Sequence, residues 1–453
     1  MKKILFYFLT FIYVIGFDTA MCQHAVTQTA YPNDVERTIV REYNYPATVS
    51  YVETSVEHYF AYADASMTVT NCEISHDISV TDMELHGKFA YFCGYNTVSG
   101  VGVWGWFNVN TLISGALSYY TYDNFGCNVL YADSLFSLAV YEELGLLHIA
   151  TVGSTTDGAS KKYACLIDIT GTEGSVAGWN FEMGTTNCLD DDNFNYRAVS
   201  ICVTDNYIVT AGPSLNISTN ECYKVHKRAN VFLTGGPQDR THCFTDYVHE
   251  GHDMALAHID NDNVASATYW YNNTSTLDDV IVNVFDAANL AATPFGTIPT
   301  YTMQAQVPSL TFRIKDLVFS RTKSELVLLL SEITSLGNGS IIAELPIPPS
   351  YVVPIDVTYT SSYSLSSLDG YNSDNNFLAM GYDISNPSYA TFFTQPLQML
   401  PKCANNSSTN INDPFLAAKS SICPYTVCSG AFKCVQANSK ALKKDIDTIC
   451  IEP

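Results

Sequence analysis

The densest group of side chains able to do chemistry lies in THCFTDYVHEGHDMALAHID, which holds His242, Asp246, His249, Glu250, His252, Asp253 and His258. Histidine with carboxylate is the donor set of zinc, and three such groups converging would suffice. The helical His-Glu-x-x-His arrangement needs its histidines four apart on one face. Here His249 and His252 are three apart and lead into a strand, so the plain reading is a connecting loop, with His249 and His252 kept as metal candidates. Calcium (Ca2+) wants several oxygens from one tight loop. Asp190, Asp191 and Asp192 supply three contiguous carboxylates and are preferred to the run 260–263. Neither run has both the Gly and the later Glu of an EF-hand loop, so no cofactor is assigned. There is no Gly-x-Ser-x-Gly nucleophile turn, no phosphate-cradling Gly-rich loop and no dinucleotide fingerprint, so no catalytic residue is named.

Aromatic rings supply the remaining chemistry. Trp104, Trp106, Tyr269 and Trp270 stand at or near strand ends, where flat rings with polar edges stack on sugars. They are the ligand-binding candidates. Trp104 and Trp106 point the same way, because strand side chains alternate with period two, and that face serves equally for packing. Fourteen cysteines point to an oxidising compartment. Cys423, Cys428, Cys434 and Cys450 read as a disulfide staple of the C-terminal tail. If Cys22 leaves with a leader, 13 remain, an odd number that implies a free thiol or an interchain bond.

These residues must be positioned by strands. In Asp82 to Val109 the alternation of Asp82-Met83-Glu84-Leu85, a turn at His86-Gly87 and the returning run from Phe89 to Cys93 make a meander. Similar hairpin turns recur near 143, 205, 261, 322 and 373, with spacings of 57, 62, 56, 61 and 51 residues from the turn near 86 onward. About four strands fit each interval, the period of a propeller blade. An upstream hairpin near Ser55 makes seven. The expected fold is all-β, a β-propeller of about seven four-stranded blades, with six as the alternative. The first blade is short and would be completed by strands from the far end. Met83, Leu85, Phe89 and Tyr91 are expected to pack between neighbouring sheets.

Residues 1–22 read as a signal peptide, with Lys2 and Lys3 before an apolar run of 14, too short to span a bilayer. Residues 23–48 read as a lead-in segment, 49–400 as the propeller and 401–453 as a Cys-rich tail. No later run is long enough for a transmembrane segment. The chain is therefore expected to be exported: secreted, periplasmic or at the cell surface. A lipid anchor on Cys22 is disfavoured by Met21. The net charge of −23 becomes −24 once the leader, with two Lys and Asp18, is gone. Such a chain is repelled by phosphate backbones, so nucleic acid is excluded as a partner.

The stretches TDMELHGKFAYFCGYN, GVWGWFNV and DMALAHIDNDNVASATYW resemble a loose set of uncharacterised exported β-propeller-like proteins of gut Bacteroides-type bacteria. The resemblance covers roughly residues 45–400. It implies fold and export, and brings no catalytic residues. The functional expectation is a binding or interaction module for a glycan or protein partner. The alternatives are a polysaccharide-active enzyme with paired carboxylates at the funnel, and a structural or adhesive envelope component.

Overall fold

Charged residues are few and β-branched and aromatic ones many, so almost every regular segment is a strand that buries one face or both. In the computed structural model the described residues run from 25 to 394. Within that span residues 45, 67, 124–125, 128–129, 157–161, 175–179, 183–187, 190–198, 214–220, 228–239, 244–253, 272–277, 290–299, 303–311, 321–323, 333–338, 347–355, 361 and 371–376 lie outside the description. The chain divides into Thr27–Phe393 and a second unit, Met1–Val26 with Thr394–Pro453, which falls almost wholly outside the described residues.

The first unit is a β-propeller. Among the described residues its strands form seven antiparallel sheets, six of them following chain order along their main path and one taking a strand from the N-terminal end. After β1 (Ala25–Ala30), blade 1 holds β2 (Val35–Glu42), β3 (Thr48–Thr54), β4 (His58–Ala63) and β5 (Val69–Ile74). Blade 2 holds β6 (Ile78–His86), β7 (Phe89–Asn96), β8 (Gly102–Asn108) and, after the one-turn helix α1 (Val109–Ile113), β9 (Tyr119–Tyr122). Blade 3 is the largest, with β10 (Gly126–Cys127), β11 (Leu130–Glu143), β12 (Leu146–Thr156), β13 (Lys162–Gly171), β14 (Asn180–Glu182) and β15 (Cys188–Leu189). Blade 4 holds β16 (Ser200–Val203), β17 (Tyr207–Pro213), β18 (Glu221–Lys227) and β19 (Arg240–Cys243). Blade 5 holds β20 (Met254–Asp260), β21 (Asn263–Tyr271), β22 (Asp278–Asp286) and β23 (Thr300–Thr302). Blade 6 holds β24 (Phe312–Ser320), β25 (Glu325–Glu332), β26 (Ser340–Pro346) and β27 (Asp356–Thr360). Blade 7 holds β28 (Tyr363–Gly370), β29 (Phe377–Asp383) and β30 (Asn386–Thr394), with β1 as its fourth strand.

The first full-length strand of each blade (β2, β6, β11, β16, β20, β24, β28) packs on its counterparts in the two neighbouring blades, so these seven strands form the inner wall around the axis. Apolar seams fill the spaces between blades. Met83, Ala90 and Phe92 of blade 2 join Tyr51 and Phe60 of blade 1, with Leu85 packed alongside. Phe89 and Tyr91 face Leu135, Leu138 and Ile149 of blade 3. The expectation of interblade packing for this stretch therefore holds.

Two details differ from the sequence expectation. Residues 23–48 are more than a lead-in, since they contain β1 and the inner strand β2. The Ser55 hairpin joins β3 to β4, whereas the other six join a first strand to a second. Blade 1 is thus complete in itself, and it is blade 7 that borrows a strand, β1 from the N-terminal end. Tyr31 N donates to Ser388 O at 2.8 Å beside this closure, and Gln28 Nε2 donates to Asp383 Oδ2 at 2.8 Å.

Candidate functional site

The inner strands share a local device. In β2, β6, β11, β24 and β28 the ladder to the second strand skips one residue, between Val35 and Arg37, Val80 and Asp82, Leu135 and Ser137, Ile314 and Asp316, and Leu365 and Ser367. An extra residue of this kind bends the strand and frees local backbone groups. Asp82 Oδ1 accepts from its neighbour Met83 N at 2.8 Å, while Oδ2 accepts from Leu138 N of the next blade at 3.0 Å. Asp316 repeats the pattern, with Leu317 N at 2.9 Å and Leu368 N of the next blade at 3.0 Å. Asp369 in turn accepts from Gly370 N at 2.9 Å and from Glu42 N of blade 1 at 2.6 Å.

These carboxylates meet around one cation. Arg41, near the end of β2, places Nη2 2.7 Å from Asp82 Oδ1 and Nε 3.6 Å from Glu84 Oε2. Its Nη1 donates to Val40 O at 2.9 Å. Asp369 and Asp316 also act on the guanidinium electrostatically, so four successive blades (6, 7, 1 and 2) contribute to one cluster on the axial side. The Arg41 and Asp82 side chains are each 14% exposed, whereas Glu84 is 40% exposed. Among the described residues Glu84 is the one carboxylate of the four that holds no backbone N–H.

Burial opposes the charge of Arg41, but Asp82, Glu84, Asp369 and Asp316 hold its pKa above the ordinary arginine value. Removal from bulk water raises Glu84 to about 8, against the pull of Arg41 and reinforced by Asp82, Asp369 and Asp316. The same desolvation raises Asp316 to about 7, with Arg41 and the Leu368 N–H opposing it. It raises Asp369 as well, again opposed by Arg41. The cluster thus sets a Glu84 carboxyl whose pKa is raised by desolvation beside the Arg41–Asp82 ion pair.

The residues singled out from sequence lie elsewhere. Trp104 and Trp106 are 0% and 3% exposed and pack with Leu135, Leu138 and Ile149 in the seam between blades 2 and 3. Trp106 stacks on Tyr120 at 4.8 Å between centroids, and Trp104 packs against Tyr122 at 5.2 Å. This corrects their reading as a ligand surface: a strand face shared by two indoles is too apolar to leave uncovered. Tyr269 and Trp270 lie in β21, in register with Val280 and Asp279, and their side chains lie outside the described residues. Asp190, Asp191, Asp192, His249, His252 and Cys423, Cys428, Cys434 and Cys450 also fall outside them. His258 is in β20 with Nε2 3.1 Å from Asn261 O of its own turn. In the second acidic run, Asp262 accepts from Thr204 Oγ1 at 2.8 Å and from Asn206 N at 3.0 Å, clasping blade 4. Among the described residues no group of three His, Cys, Asp or Glu is arranged to hold a metal ion, and no helix is long and apolar enough to cross a membrane.

Sequence reasoning missed the Arg41 cluster. A signal existed in the matching inner-strand frames Val80-Thr81-Asp82-Met83 and Ile314-Lys315-Asp316-Leu317. Both place Asp directly after a skipped polar residue and before an apolar one.

No known protein family and no curated protein matches the chain. Among solved structures, the Dos1 propeller matches with a TM-score of 0.45 at 10% identity, over 81% of this chain and 94% of that one. The β-propeller domain of the Trilobed protease from Pyrococcus furiosus, described as having an open velcro topology, matches with a TM-score of 0.43 at 9% identity, over 84% and 99%. A prolyl endopeptidase matches with a TM-score of 0.40 at 11% identity over 80% of this chain, which spans only 47% of that protein's length.

Proposed function

We propose that this propeller is an exported module that binds a glycan or protein partner at the Arg41 end of its axis, without catalysing a reaction. The observation that carries the proposal is the convergence of Asp82, Glu84, Asp316 and Asp369 around Arg41, with Glu84, 40% exposed, the one of the four that holds no backbone N–H among the described residues. Four carboxylates facing one guanidinium favour a group rich in hydroxyl or ammonium donors. Export, and kinship with propeller-like proteins of gut bacteria, belong to the same proposal.

Binding is preferred to hydrolysis on the same geometry. A paired-carboxylate hydrolase needs two carboxyl groups free for proton transfer and attack. Here three of the four are spent on backbone N–H groups that join blades. One feature favours the enzymatic alternative, the raised pKa of Glu84 next to a second carboxyl group, since a carboxyl raised in this way suits a general acid.

The test is a glycan array probed with residues 23–453, with lysine-rich peptides on the same surface and mass analysis of every bound species. Saturable binding of intact ligand, weakened about tenfold or more in Glu84→Ala, is the expected result. Cleaved glycan would establish the enzymatic alternative. Binding that Glu84→Ala leaves unchanged would move the site elsewhere, and silence would favour a structural role.

A further inference from the structure

The strand registers pair four cysteines. In blade 3, Cys165 of β13 stands opposite Cys188 of β15. In blade 4, Cys222 of β18 stands opposite Cys243 of β19. Directly opposed residues of an antiparallel pair lie on one face of the sheet with Cα atoms about 4.5–5.5 Å apart. A disulfide spans about 4.4–6.8 Å between Cα atoms. We infer that Cys165–Cys188 and Cys222–Cys243 are disulfides, each stapling an outer strand of its blade to the strand it pairs with.

The coincidence is specific. Cys72, Cys93 and Cys202 face Phe60, Trp104 and Val209 across their ladders, and all three are free thiols. The two paired sites also share a mechanical need. β15 is two residues long and β19 four, so few ladder hydrogen bonds hold these edges, and short edge strands are weakly paired. Removing Cys22 with a leader and counting three free thiols and four paired ones leaves six cysteines, Cys127 and the five of the tail. The odd count of the mature chain is thereby absorbed by the three free thiols, and no interchain bond is required.

Each bond forms when two thiols give up two electrons and two protons. The acceptor is an oxidised dithiol protein or a small-molecule disulfide, acting by thiolate exchange through a mixed disulfide. The proposal concerns covalent structure and stands or falls separately from the binding reading.

The full chain, produced in an oxidising compartment, would be alkylated under denaturing, non-reducing conditions, digested and mapped by mass spectrometry. The expected result is two linked peptides, Cys165 with Cys188 and Cys222 with Cys243, that separate on reduction, with Cys72, Cys93 and Cys202 alkylated. Alkylation of either proposed pair, or linkage of any of its members to a tail cysteine, would overturn the assignment for that blade. In a second measurement, Cys188→Ser and Cys243→Ser should each lower the thermal midpoint by a few degrees without reductant. The difference from the parent should vanish when both are reduced. A difference that persists under reduction would mean that the substitutions act through packing and would overturn the stapling role.

Discussion

At the scale of single residues, Arg41 carries more than its own ion pair. It offsets four carboxylates that would otherwise repel across the inner wall, and breaking a buried pair by removing one partner costs about 3–5 kcal/mol. Arg41→Met should therefore destabilise the propeller by about 3 kcal/mol in urea, and more at pH 8 than at pH 5, because the orphaned carboxylates are then more fully charged. Glu84 gives a second prediction. Its pKa of about 8, and that of about 7 for Asp316, lie above the values near 4 that the unfolded chain displays. Between those limits the folded state holds protons that the unfolded state has released, so stability falls as pH rises. The melting temperature should decline from pH 5 to pH 8, and Glu84→Gln should make that decline shallower throughout the range. An unchanged slope in that variant would assign the proton elsewhere. The 40% exposure of Glu84 keeps its share of the effect modest.

At the scale of elements, the skipped residue of the inner strand and a glycine across from it act as a unit. Gly94, Gly153 and Gly381 occupy the second strands of blades 2, 3 and 7. A Cβ there would stand 1.9–2.0 Å from the carbonyl oxygens of Ser79, Ser134 and Ser364. Gly381→Ala should cost about 2–3 kcal/mol, whereas Gly370→Ala, whose nearest neighbour would be 3.8 Å away, should stay within about 0.5 kcal/mol. Parallel urea titrations decide it. At the β11–β12 turn, Leu144 has φ of +52° and is 97% exposed, next to Gly145 at +80°. Leu144→Asn should gain up to about 1 kcal/mol, because asparagine tolerates that region better. The same element shows how the sequence is read correctly and incorrectly. Six first-to-second-strand hairpins were legible because alternation and turn residues recur at nearly constant spacing. β2 was not, because Arg37 and Arg41 serve seams and axis, and the skipped residue after Val35 breaks the period of two.

At the scale of the whole molecule, blade number was legible, since a repeat announces itself along the chain. The charged cluster was not: it takes single residues from positions as far apart as Arg41 and Asp369, and no local pattern records their meeting. Closure of blade 7 by β1 was likewise invisible, because AVTQTA is short and polar. Deleting residues 23–30 should leave β30 with a bare edge, broaden the thermal transition and lower its midpoint by several degrees, as calorimetry would show.

That clasp also orders events in time. Among the described residues, the ring is shut by pairing the first strand with the last, across more than 350 residues of intervening polypeptide. Contacts so remote in sequence form slowly, since the entropy of closing the loop is spent before any pairing repays it. A nascent chain leaving the ribosome therefore has no partner for its first strand until nearly all of the propeller has been made. Blades 1 to 6 can form as they emerge, but β1 must wait, exposed, for β30.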